Sequence, residues 1–463
     1  MKKILLSILF IYCCISVTKG QEVNCSQVLI NLLMHDDCFR AQDYIQQHND
    51  SIVEEVKLFY KYKMNGFLNR PDSAAMYLEQ IFEKYPSFMP DELTKLTFFN
   101  NLIGLYNETE NYIKLVETYD RIEQFILTES FSGNSCWKEE QLALLDNFRL
   151  EAKKKLNTPK IGVARCESDN YVAVSIQKEP FITTLAECNG ISLRTVVDTG
   201  FPSYLFVSKA NADKCQFREI PSLTDSLPIN GVMARANWAL ADSIRIGNVL
   251  FTNIPVFVLH DKYSSLLRNN TLSEEQVAKY DSLMSISDAI IGLSLLQKLG
   301  CIEFDWEKSQ MNLKTKSEIP RMKKEPNMYI KDGGLYTHLL INGIDYTGIL
   351  DTGANTFIEL NQHFYESNSA NLPIDPNKKK EKSVTWGISV STEAKTAYLL
   401  NPQVTFDSKV MKHDNSNVAV VWFDDTNALS IPILKSGGIG NLFIKQLGKK
   451  VKFDFVNMRI VAE

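Results

Sequence analysis

The sequence predicts a multidomain α + β chain: an N-terminal all-α helical-hairpin domain followed by an all-β region of two related lobes. Three observations carry this reading. Apolar residues recur at helical steps up to about residue 156 and at strand-like steps from about residue 160. The string Asp-Thr-Gly occurs twice, at Asp198-Thr199-Gly200 and at Asp351-Thr352-Gly353. Each copy follows an apolar strand, and each has its own turn and apolar-glycine element at nearly the same spacing.

The 463 residues are too many for one ordinary core, since domains of about 100–200 residues are usual. The expected organisation is a signal peptide over 1–20, a helical domain over 21–158, a first lobe over 159–320 and a second lobe over 321–463. Lys2 and Lys3 followed by the apolar run Ile4 to Val17 read as a secretory signal, with Thr18 and Gly20 supplying small residues before a cut at Gln21. That run of 14 residues is shorter than the roughly 20 that span a bilayer, so no membrane span is expected after cleavage. The expected location is therefore outside the cytoplasm: periplasm, cell surface or medium. A net charge of −5 without a basic face argues against a nucleic-acid partner.

Seven cysteines follow Gln21, so at least one has no partner within the chain. An exported chain permits disulfides, and Cys25 with Cys38 is the expected local pair, brought together by a helix-turn-helix. No CxxC spacing occurs, which argues against structural zinc. Neither a metal nor another cofactor is expected.

The helical region shows Leu58, Phe59 and Tyr62, and later Leu102, Leu105 and Tyr106, at three- and four-residue steps. Pro71-Asp72-Ser73 and Pro90-Asp91-Glu92 read as helix starts. The charged run Glu151 to Lys155 closes the last helix, and Asn157-Thr158-Pro159 breaks it. Stacked helical hairpins are the expected arrangement, and they resemble a tetratricopeptide array only loosely.

Beyond Pro159, Tyr171 to Ile176 is rich in strand-forming residues. Asn189-Gly190 lies 9 and 8 positions before Asp198, and Asn342-Gly343 lies 9 and 8 before Asp351. Such pairs mark tight hairpin turns. Ile290-Ile291-Gly292 leads to Leu299-Gly300 and Phe304-Asp305, while Gly438-Ile439-Gly440 leads to Leu447-Gly448 and Phe453-Asp454. The two Asp-Thr-Gly strings are 153 apart and the glycines Gly292 and Gly440 are 148 apart, so the repeat drifts by only 5. Candidate hairpins lie between, at Asn230-Gly231 with Trp238 and at Trp386-Gly387. Each tryptophan either covers a substrate or packs in its own lobe. Lys378-Lys379-Lys380 reads as an exposed loop.

On these motifs, residues from about 165 to the end resemble the aspartic peptidase family. Ile290-Ile291-Gly292 with Leu295-Leu296 looks like the retropepsin type of lobe, and two fused lobes look like the pepsin arrangement. The resemblance implies a bilobal β fold with a cleft between lobes, a polypeptide substrate, and Asp198 and Asp351 as the catalytic pair. Two carboxyls held together cannot both ionise cheaply, so one serves as base toward water and the other keeps its proton as acid. By the same resemblance, the hydroxyls of Thr199 and Thr352 bond across to the opposite loop. Gly200 and Gly353 let backbone amides approach the carboxylates, and Gly292 and Gly440 pack beneath the loops.

The second copy, with Ala354-Asn355-Thr356, fits the family pattern. The first departs from it at Phe201-Pro202, and Pro202 offers no amide. This departure keeps open a peptide-binding protein of the same fold without turnover. A third reading places the main role in the helical domain, as a scaffold for a protein partner.

Overall fold

Asp91 marks the start of one helix: its carboxylate accepts from the Thr94 amide at 2.8 Å and so satisfies an end donor. Pro71 occupies the first turn of another, where its missing N–H costs nothing. In the computed structural model, residues 24–128, 135–166, 174–176, 181–220, 226–229, 232–266, 273–378, 381–387, 390–411, 418–423 and 437–463 are described. The signal segment over 1–20 and the turn Asn230-Gly231 lie outside them. The chain divides into two compact units, Met1–Lys160 and Ile161–Glu463.

The described residues of the first unit form helices and the turns between them. Its helices are α1 (Cys25–Met34), α2 (Cys38–His48), α3 (Glu54–Phe67), α4 (Pro71–Lys84), α5 (Glu92–Glu108), α6 (Tyr112–Thr128) and α7 (Ser135–Lys155). Consecutive helices pack on one another, and Leu58, Phe59, Tyr62, Leu102 and Tyr106 all enter the core. Phe59 stacks on Phe98 with ring centres 6.0 Å apart, and Phe82 on Phe99 at 4.6 Å. Lys153, Lys154 and Lys155 end α7, where positive charge suits the negative end of the helix dipole. Among the described residues no helix is long and apolar enough to cross a membrane.

The expected Cys25–Cys38 disulfide is not formed. Cys25 opens α1 and Cys38 opens α2, so a helix of 10 residues separates them. That is a rise of about 13 Å, while a disulfide needs Cα atoms about 4.4–6.8 Å apart. Cys188 and Cys215 are instead the buried neighbours, each thiol within hydrogen-bonding reach of the other.

The second unit is β-rich. Its first half forms a nine-stranded sheet whose central order is Val249–Leu259, Leu205–Ser208, Ala289–Gly292, Ile191–Asp198 and Thr183–Cys188. Val232–Ile246 pairs with both ends of that run and so closes it. The second half forms a ten-stranded sheet with the matching central order Val418–Phe423, Ile358–Asn361, Gly438–Gly440, Ile344–Asp351 and Gly334–Ile341. A five-stranded sheet draws on both halves. Within it Cys301–Asp305 runs antiparallel to Lys450–Asp454, with Ile302 opposite Phe453.

The turns behave as their residues require. Asn189 and Gly190 have φ of 49° and 75°, and Asn342 and Gly343 have 51° and 79°. Two successive positive φ values make the tight hairpin turn whose twist matches the flanking strands. Of the stretch Tyr171 to Ile176, the strand Val174–Ser175 and Ile176 are described. Lys378 is exposed, while Lys379 and Lys380 lie outside the described residues.

Candidate active site

Each Asp-Thr-Gly string sits where a buried strand leaves its sheet. Ile191–Asp198 ends on the first aspartate and Ile344–Asp351 on the second. Beside each runs a short parallel strand, with Gly292 opposite Asp198 and Gly440 opposite Asp351. These apolar-glycine strands hold the loops through three matched backbone bonds. The amides of Gly292, Leu293 and Ser294 donate to the carbonyls of Tyr204, Phe201 and Ser203 at 2.9, 2.7 and 3.2 Å. Those of Gly440, Asn441 and Leu442 donate to Phe357, Ala354 and Thr356 at 3.1, 2.8 and 3.1 Å. A Cβ on Gly292 would stand 2.5 Å from the Phe201 carbonyl oxygen, and one on Gly440 2.8 Å from that of Ala354. Glycine is therefore needed for this approach, since a methyl group would push the loop away.

The two loops meet face to face. The Thr199 hydroxyl donates to the Leu350 carbonyl at 2.7 Å and accepts from the Thr352 amide at 3.0 Å. The Thr352 hydroxyl donates to the Val197 carbonyl at 2.7 Å and accepts from the Thr199 amide at 2.9 Å. Both threonines are buried, at 1% and 0% exposure, so these bonds form without competing water.

The same crossing brings the carboxyls together. A Cβ built on Gly200 would lie 2.5 and 2.6 Å from the carboxylate oxygens of Asp351, and one on Gly353 would lie 2.6 and 2.7 Å from those of Asp198. Gly200 and Phe201 each donate an amide to Asp198 Oδ1, at 2.8 and 3.1 Å. Gly353 does the same for Asp351 Oδ1 at 2.8 Å. Phe201 thus keeps its amide on the carboxylate, and its ring packs edge-on against Phe206 at 5.7 Å. The unusual residue after the first Asp-Thr-Gly costs that loop no bond to its aspartate.

Burial raises the pKa of both aspartates above the ordinary carboxyl range. For Asp198 the neighbouring Asp351 charge adds to burial, while the amides of Gly200 and Phe201 pull the other way. For Asp351 burial prevails over its bond with Asp198 and over the amides of Gly353 and Ala354. Two carboxyls in such contact titrate as one unit.

All six residues singled out in the two strings, Asp198, Thr199, Gly200, Asp351, Thr352 and Gly353, meet at one place. The tryptophans do not join them with equal clarity. Trp238 packs edge-on against Phe257 at 5.4 Å, within its own half, and the side chain of Trp386 lies outside the described residues. One charged residue near the pair was missed. Glu359 stands 8 positions after Asp351, where the first half has Phe206 at the same distance from Asp198. A carboxylate breaking an apolar position in one copy of a repeat was its available signal.

No family model and no curated protein matches this chain. Among solved structures, a retropepsin-like aspartic protease from Rickettsia conorii aligns with 33% of this chain and 92% of its own, at 19% identity and a TM-score of 0.20. At that score the overlap carries no weight, and the site stands on its own paired loops.

Proposed function

We propose that this chain is an exported aspartic endopeptidase, hydrolysing a polypeptide with water activated by Asp198 and Asp351. The observation that carries this reading is the reciprocal packing of the two loops: each glycine lies against the other loop's carboxylate, and each threonine bonds the other loop's backbone. In the reaction the ionised carboxyl of the pair takes a proton from water as the water attacks the scissile carbonyl. The protonated carboxyl donates to the carbonyl oxygen, and a proton then passes to the leaving nitrogen. One shared proton is the productive state. The helical unit serves in this reading as a docking module for a protein partner, apart from the chemistry.

Because burial raises both carboxyls and the Asp351 charge raises Asp198 further, the shared proton is kept above the ordinary aspartate range near pH 4. Incubating the full chain with unstructured polypeptides from about pH 3 to pH 8, with mass spectrometry of the products, tests this. Internal cleavage is expected, its high-pH limit lying above the ordinary carboxyl range, and D351N is expected to abolish it. Absence of cleavage throughout, or undiminished cleavage by D351N, would refute the peptidase reading.

A further inference from the structure

The side chains on the aspartate-bearing face differ sharply between the two halves. Residues two apart in a strand share a face, so Val196 lies on the face of Asp198 and Ile349 on that of Asp351. Register extends each row across its sheet. In the first half the row is Val196, Ile290, Phe206, Phe257 and Trp238, each opposite the next. In the second it is Ile349, Gly438, Glu359, Ala419 and Tyr398.

The first row is filled with apolar bulk. Phe206 is fully buried and stacks on Phe257 with ring centres 5.5 Å apart. In the second row the places of Ile290, Phe206 and Phe257 fall to Gly438, Glu359 and Ala419. Two of these positions lose most of their side-chain volume, and the third acquires a charge. Glu359 Oε2 lies 3.8 Å from where a Gly438 Cβ would stand, so the carboxyl lies over the missing side chain. Glu359 is half-buried, and no hydrogen bond or ion pair reaches its carboxylate among the described residues. Its backbone carbonyl is held in place by the Tyr346 hydroxyl at 2.9 Å. Burial, and then the charge of Asp351, push the carboxyl up to about 7. Among the described residues this carboxyl has no counter-charge, and a cation is the ligand chemistry that suits it.

We infer that Glu359 lines a substrate subsite, on the second half's side of the aspartate pair, that takes a lysine or arginine side chain. The inference rests on the peptidase reading for the path of the peptide. The stem would run along Gly438, which has no side chain, and Glu359 would meet the charge at its end.

Binding tests it separately from turnover. In the full chain carrying D198N, a labelled short peptide is varied one position at a time among lysine, arginine, leucine and acetyl-lysine. Fluorescence anisotropy at about pH 8 reads the affinities with Glu359 ionised. At one position lysine or arginine should bind at least about tenfold tighter than leucine, and acetyl-lysine should lose that advantage. E359Q should bring the ratio close to unity. The acetyl-lysine comparison needs no variant at Glu359 and stands if E359Q fails to fold. No position favouring a basic residue, a preference that survives acetylation, or one that survives in folded E359Q would each overturn the subsite. The wild-type chain is assayed for cleavage of the same peptides. Basic-selective binding without cleavage would refute the peptidase reading alone, whereas cleavage without basic selectivity would refute the subsite alone.

Discussion

Thr199 and Thr352 are the residues on which the meeting of the two loops depends. Each hydroxyl satisfies one carbonyl and one amide of the opposite loop in a dry setting. Valine has nearly the same shape but cannot form these bonds. In T352V the Val197 carbonyl and the Thr199 amide would be left buried and unpaired, at about 1–3 kcal/mol each. Denaturant unfolding should show a loss of about 2–6 kcal/mol, with peptide cleavage lowered as the carboxyls lose register. Wild-type stability in T352V would mean that the hydroxyl bonds are dispensable. At this scale most of the site is legible in the sequence. The two strings carry their own chemistry, because an aspartate, a hydroxyl and a glycine in that order define a loop that can meet its twin. Glu359 was not legible in the same way, since its neighbours Gly438 and Ala419 are 79 and 60 positions away and only the strand register brings them together.

The apolar-glycine strands act as wedges beneath the loops. Gly440 backs against the carbonyls of Ala354 and Thr356, and the three amides from Gly440 to Leu442 tie that loop down. An alanine there must push the loop outward, and overpacking of this kind costs about 1–3 kcal/mol. G440A should therefore unfold at lower denaturant, and cleavage should drop about a hundredfold, since a displacement on the order of 1 Å suffices for that. Unchanged activity in a folded G440A chain would argue against this support. The strands and turns were readable because Asn-Gly pairs and apolar runs specify them locally. The cysteine pairing was not: proximity in sequence suggested Cys25 and Cys38, but a helix carries neighbours apart, while folding of the sheet brings Cys188 to Cys215. Trp238 likewise could not be assigned from its own strand, because its packing depends on Phe257 across the ladder.

Over the whole second unit, two sheets with the same central strand order each deliver one aspartate to a single place. The equal offsets of Asn-Gly from each aspartate announced that symmetry, and the drift of 5 residues fell between the aspartate and its wedge, where loops absorb it. Symmetry supplies the pair, while the rows beside it differ in bulk and charge. On the peptidase reading the two carboxyls act as one device. The most direct measurement of this is kcat/KM for peptide cleavage by D198N, D351N and the double variant. Each single variant should lose about a thousandfold, and the double variant no more than either, because removing one half already disables the pair. Full activity in either single variant, or a double loss equal to the product of the two single losses, would contradict the account.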